Sequence, residues 1–139
     1  MKIHRIDLRV RYGETDQMGI VYNAEMLTYF EVARTEYLRT LGTTYRSLEE
    51  RGVLLAVSEA HCKYRGPARY DDEIEIVTWV DRLRGTRIDF GHRISIKNTG
   101  DPVADGRMVL ACLDRDMRPR KIPADVADLL EVCEGGPDE

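Results

Sequence analysis

The hydrophobic rhythm of the chain changes twice. Near the N-terminus Ile6, Leu8, Val10 and Tyr12 alternate with Asp7, Arg9, Arg11 and Gly13. A period of two marks a strand with one buried face. From Met26 onward the period lengthens: Met26, Leu27, Phe30, Ala33, Tyr37, Leu38 and Leu41 recur at three and four, which gathers them on one helical stripe. Asn23 suits the N-cap of that helix, Glu25 the positive end of its dipole, and Gly42 the position just past its end. Thr43 to Arg51 predicts a second, short helix closed by Gly52. The text then returns to strands. An apolar run from Val53 to Val57 leads toward Tyr64, Ile74 to Val80 and Ile88 to Ile96 alternate, and a last strand spans about Val103 to Leu113. The breakers "RGPARYDDE", "LRGT" and "NTGDP" separate them. The tail after Lys121 predicts one more short helix.

A strand, one long helix and four further strands make an α+β pattern. Strands joined by short turns pair antiparallel, so one sheet should wrap the helix. Residues 1–139 read as one domain, with no repeat, linker or low-complexity stretch. One helix leaves sheet edges and apolar surface uncovered. Pairing of two chains edge to edge is the remedy, so a homodimer or homotetramer is expected.

Charge and cysteine usage narrow the partners. A net charge of −4 with scattered arginines lacks the basic stripe of a nucleic-acid surface. Nothing approaches a membrane span, and no apolar signal segment follows Met1. Three widely spaced cysteines, Cys62, Cys112 and Cys133, fit reduced thiols in a cytoplasmic protein.

The chemistry concentrates in "GETDQMGIVYN", Gly13 to Asn23. Asp16 falls just beyond a strand and a few residues before the long helix, whose first amides lack partners. Such amides suit an oxyanion or a polarised carbonyl. A carboxylate facing a carbonyl held there can attack it or deprotonate water. The acyl group must then be activated, and a thioester fits because a thiolate leaves readily. Asp16 as a plain turn residue is the competing reading, as it is for Gly13 and Gly19. Tyr22, Met26, Tyr29 and Phe30 can line an acyl pocket or fill core. Glu31 and Arg34, at helical spacing, read as an ion pair on a solvated face, and Glu14 as a solvated acid. His4, His61 and His92 have no metal spacing, so no metal or cofactor is expected. No serine has a nucleophile-elbow context. Adjacent residues face opposite sides of a strand, which weakens a His61–Cys62 pair.

The stretch "RVRYGETDQMGIVYNAEMLTYFEVARTEYLRTLG" resembles the opening of the 4-hydroxybenzoyl-CoA thioesterase family of hot dog proteins. "PARYDDEIEIVTWV", "FGHRISI", "ADGRMVLACLD" and "RKIP" follow in the order that family has, so the resemblance spans nearly the whole chain. It implies a hot dog fold, dimers or dimer pairs, and hydrolysis of acyl-CoA. It further implies Asp16 as the catalytic carboxylate and the backbone N–H near Asn23 as the group polarising the thioester carbonyl. Gly19, Val21, Tyr22, Met26, Tyr29 and Phe30 would then contact substrate. Arg65, Arg69, Arg118, Arg120 and Lys121 are the cations available for coenzyme A phosphates. Glu25-Met26 stands where many relatives have Asn-Tyr, which leaves the acyl pocket open. A dehydratase of the same fold needs a histidine near the helix, and none lies between His4 and His61. A non-catalytic acyl-ligand binder or assembly subunit stands as the alternative.

Overall fold

The N-terminal alternation folds as strand β1 (Ile3–Arg9). The later apolar runs form β2 (Leu54–Tyr64), β3 (Glu73–Arg84), β4 (Arg87–Ile96) and β5 (Pro102–Leu113). In the computed structural model, which describes residues 2–138, these strands make one antiparallel sheet in the order β1-β3-β4-β5-β2. The long helix α1 (Glu25–Thr40) packs on one face of it. Two short helices, α2 (Tyr45–Glu50) and α3 (Ala124–Ala127), complete the α+β arrangement.

The core is the expected stripe of α1 meeting the sheet. Phe30, Ala33, Tyr37 and Leu38 are buried with Ile74, Ile76, Ile88, Phe90, Ile94 and Leu110. Each large side chain so buried contributes roughly 1.5–3 kcal/mol. The closest approach of helix and sheet falls at Gly106, where a Cβ would meet the Phe30 ring at 2.4 Å. Phe30 also stacks on His92, with ring centroids 4.8 Å apart. Burial, and then the charge of Arg34, hold the His92 imidazole well below its usual pKa. It is therefore neutral, with Thr78 Oγ1 at 3.0 Å from Nδ1. At the far end of α1, Gly42 adopts φ 90°. The N–H groups of Gly42 and Thr43 return to the carbonyls of Arg39 and Leu38, which closes the helix as a Schellman turn.

Four expectations are corrected. The first alternation does not run as strand to Tyr12: β1 stops at Arg9, and Tyr12–Glu14 forms a 3-10 turn. Glu14 is not a solvated acid, because its Oε1 accepts from the Arg11 N–H at 2.8 Å and the Tyr29 hydroxyl at 2.9 Å. Asn23 does not cap α1. The cap is Ala24, with no side-chain bond. The N–H groups of Glu25, Met26 and Leu27 already reach the carbonyls of Tyr22, Asn23 and Ala24, so a capping side chain has nothing there to satisfy. Arg34 forms no surface pair with Glu31 among the described residues. It lies on the buried stripe beside Phe30 and Tyr37 and is 3% exposed, whereas Glu31 is exposed.

The two edges of the sheet differ. β1 alternates half-buried with exposed residues, and Ile6 and Leu8 pack against the core. On β2 the five residues from Val57 to His61 are all exposed, so neither face of that edge is covered within the chain.

Candidate active site

The loop joining β1 to α1 is a tight reversal. The Asp16 N–H donates to the Ile20 carbonyl and the Gly19 N–H to the Asp16 carbonyl, both at 2.9 Å. Gly19 takes φ 78°, a conformation that costs glycine little and other residues more. Asp16 Oδ1 accepts the Met18 N–H at 2.9 Å, the Asx-turn bond that favours aspartate here. One carboxylate oxygen thus holds the turn, and Oδ2 accepts no hydrogen bond among the described residues. Both readings of Asp16 have a physical basis in one side chain, because the turn occupies only half of it.

Contacts on two sides tie this loop to the rest of the molecule. The Val21 N–H donates to the Ala68 carbonyl at 2.8 Å, and Ile20 bridges Arg69. On the other side, the Glu14–Tyr29 bond fastens the loop to α1. Burial first, then the bond to Glu14, push the Tyr29 phenol far above its ordinary pKa, so it remains a donor.

Across from the carboxylate, the start of α1 supplies the amides. Because the first helical bonds use the N–H groups from Glu25 onward, those of Asn23 and Ala24 donate to no acceptor among the described residues. Asp16 and Asn23 line the same cleft of about 430 Å³, with Val21, Met26, Tyr64 and Ala68 on its walls. Gly19 faces a second, shallower hollow of about 720 Å³ shared with Asp16, Tyr12 and Tyr70. Val21 and Met26 are thus brought to the same cleft as the carboxylate. Tyr29 and Phe30 are not: they are buried at 3% and 0% exposure in the core beneath it. Tyr22 is half-exposed and lines neither hollow.

Of the opposite wall, Tyr64 to Ala68, sequence reasoning named only Arg65, as a candidate cation, and missed the rest. The Tyr64 hydroxyl donates to the Asn23 carbonyl at 2.9 Å, a partner 41 residues away that no local spacing could signal. Of the candidate cations, Arg65 borders the cleft, paired with Asp105, and Arg69 lies just beyond it. Arg118, Arg120 and Lys121 follow the Leu113 end of β5, whereas the cleft adjoins its Val103 end. No group of His, Cys, Asp and Glu among the described residues is arranged to hold a metal ion. No described helix is long and apolar enough to cross a membrane.

Comparison with known proteins identifies the family and the fold. The acyl-CoA thioester hydrolase YbgC of Escherichia coli is 34% identical over 126 residues, covering 89% of this chain and 92% of that protein. The acyl-CoA thioesterase YbgC of Haemophilus influenzae is 37% identical over 121 residues, covering 86% and 88%. Among solved structures, the DHNA-CoA thioesterase of Staphylococcus aureus superposes with a TM-score of 0.87 at 27% identity, over 93% of this chain and 89% of that one. The family model of the thioesterase-like superfamily matches residues 10–130. A helix wrapped by one antiparallel sheet, with a carboxylate turn at the helix entrance, is therefore a hot dog fold, and the chain belongs to the thioesterase-like superfamily.

Proposed function

We propose that this protein hydrolyses acyl-CoA thioesters to the free acid and coenzyme A, with Asp16 as nucleophile or general base. The observation that carries the reading is the shared cleft. An aspartate with one uncommitted carboxylate oxygen lines the same hollow as Asn23, whose N–H donates to no acceptor among the described residues. The relatives named above supply the substrate class.

The thioester carbonyl oxygen would lie against the Asn23 N–H, whose field stabilises the charge that develops as the carbonyl carbon becomes tetrahedral. In one route Asp16 Oδ2 bonds to that carbon, the C–S bond breaks, and water then hydrolyses the mixed anhydride. In the other, Asp16 takes a proton from water, whose oxygen attacks the carbon directly. Either way the thiolate leaves and gains a proton, and no redox partner is needed. Val21 and Met26 are the apolar contacts assigned to the acyl group. Gly19 serves by making the turn. The roles first expected of Tyr22, Tyr29 and Phe30 become support of the loop and core.

The same proposal includes a homodimer or homotetramer in the cytoplasm, each site completed at a subunit interface. Its support is the uncovered β2 edge, five residues long and exposed on both faces, a configuration that soluble proteins pair or protect. Light scattering under assay conditions is expected to give an even-numbered oligomer, and an active monomer would refute it.

The deciding assay offers a panel of acyl-CoAs, with EDTA present, and detects free thiol as it is released. Stoichiometric thiol and acid are expected. Tight binding of acyl-CoA without any thiol release would instead make the protein an acyl-ligand binder.

A further inference from the structure

The two walls of the cleft are joined by a closed circuit of hydrogen bonds. From Asp16 the chain reaches Ile20 and Val21, which bond to Arg69 and Ala68. Four residues before Ala68, β2 ends at Tyr64. Tyr64 then spans back to the helix entrance through its hydroxyl bond to the Asn23 carbonyl. Among the described residues, the Asn23 carbonyl otherwise takes only the Met26 N–H, at a long 3.3 Å.

We propose that Tyr64 is a positioning residue for thioester hydrolysis, acting through its hydrogen bond to the Asn23 carbonyl on the uncommitted Ala24 amide, beside that of Asn23, at the helix entrance. The inference rests on the hydrolase reading above. Two physical effects follow from the one bond. The Asn23 carbonyl and the Ala24 N–H belong to the same peptide unit, which is planar and stiff. Fixing its oxygen therefore fixes the direction of the Ala24 N–H, while the preceding unit, which carries the Asn23 N–H, is anchored at its Tyr22 carbonyl by the Glu25 N–H at 2.9 Å. Donation to the carbonyl also polarises the unit, which strengthens its N–H as a donor. Burial, followed by the neighbouring Cys62 thiol, raises the Tyr64 phenol above its ordinary pKa. It thus stays protonated, and a donor, throughout the neutral range.

The side chain is well placed to be tested without unfolding the protein. Tyr64 is 52% exposed and sits at the end of an edge strand, so Tyr64→Phe removes little beyond the hydroxyl. In the full-length protein this variant is expected to lose kcat about tenfold, less than the 10² to 10³ for deleting an oxyanion donor outright. KM should stay within about twofold and the thermal midpoint should be unchanged, because neither substrate binding nor the core depends on that hydroxyl. A second variant, Tyr64→Leu, separates positioning from simple lining of the wall. Positioning predicts that Leu and Phe lose kcat alike. If Phe keeps full kcat while Leu raises KM, Tyr64 is only a wall and the inference is overturned. A parent enzyme with no acyl-CoA hydrolysis removes the hydrolase reading and this inference together. An active parent with an equally active Tyr64→Phe removes the inference alone.

Discussion

The helix–sheet core and the loop at its entrance are held by different physics. In the core, α1 meets the sheet through fully buried apolar side chains such as Phe30, Tyr37, Ile76 and Phe90. In the loop from Arg11 to Asn23 only Val21 is buried, and the shape comes from backbone turns, one glycine and a few polar bonds. Stability therefore lives in one region and the proposed chemistry in the other. The difference teaches that substitutions should separate the two cleanly: loop changes should alter rate without unfolding, and core changes should do the reverse.

The strongest test of that division is Asp16→Asn. Asparagine keeps an oxygen for the Met18 N–H, so the turn and the thermal midpoint should hold. General acid–base catalysis is typically worth about 10² to 10⁴ in rate, and kcat should fall by at least that scale. A folded variant within a few-fold of the parent would return Asp16 to a turn residue. Phe30→Ala strikes the other region. It empties the space against Gly106 and His92, and loss of a buried phenylalanine costs about 3–5 kcal/mol. Chemical denaturation should report that loss. An equally stable variant would mean the helix can settle onto the sheet without it.

Tyr29→Phe probes the seam between the regions, since it deletes only the hydroxyl bond to Glu14. The expected loss is about 1 kcal/mol of stability, the usual net worth of such a bond. No change in the denaturation midpoint would show the bond to be dispensable. The smallest effect concerns pH. Burial holds His92 well below the ordinary imidazole pKa of 6.5, and His4 is lowered as well, by burial against an opposing effect of Glu36. Between those folded values and 6.5 the unfolded chain binds more protons than the folded one. Stability from this source is complete above pH 6.5 and declines as pH falls below it. The thermal midpoint should drop between pH 7 and pH 5, a range above the carboxylate titrations. A flat profile there would mean that the imidazoles ionise in place.

What could be read from the sequence divides along the same line. Strand and helix periods are repeated many times over, so β3, β4, β5 and α1 were legible within a few residues. The loop offered single residues rather than a period. Asp16 stood out because its residue type, its place after a strand and its distance from a helix converged. Asn23 was misjudged as a cap because three consecutive turn bonds to Tyr22, Asn23 and Ala24 take over the capping task. Arg34 was misjudged because charge outweighed its place on the apolar stripe. Tyr64 and Ala68 were illegible as site residues, since they meet the loop only through the pairing of β2 with β5 and the bridge at Arg69.

The strand order also imposes a sequence in time. Only β3–β4 and β4–β5 join neighbours along the chain, whereas β1 must wait for β3 and β2 for β5. A chain emerging from the ribosome makes β1 and the carboxylate loop first, yet β1 has no partner until β3 follows, and the loop lacks its distant partners until Tyr64, Ala68 and Arg69 do. Contacts between distant segments form late because closing long loops costs entropy. The Val21–Ala68 bond and the Tyr64–Asn23 bond both belong to that late class. The reacting groups thus assemble after the local pairs β3–β4 and β4–β5 and should come apart before them on partial unfolding. Native-state hydrogen exchange would follow this directly, with the amides of Asp16, Gly19 and Val21 opening well before those of β4.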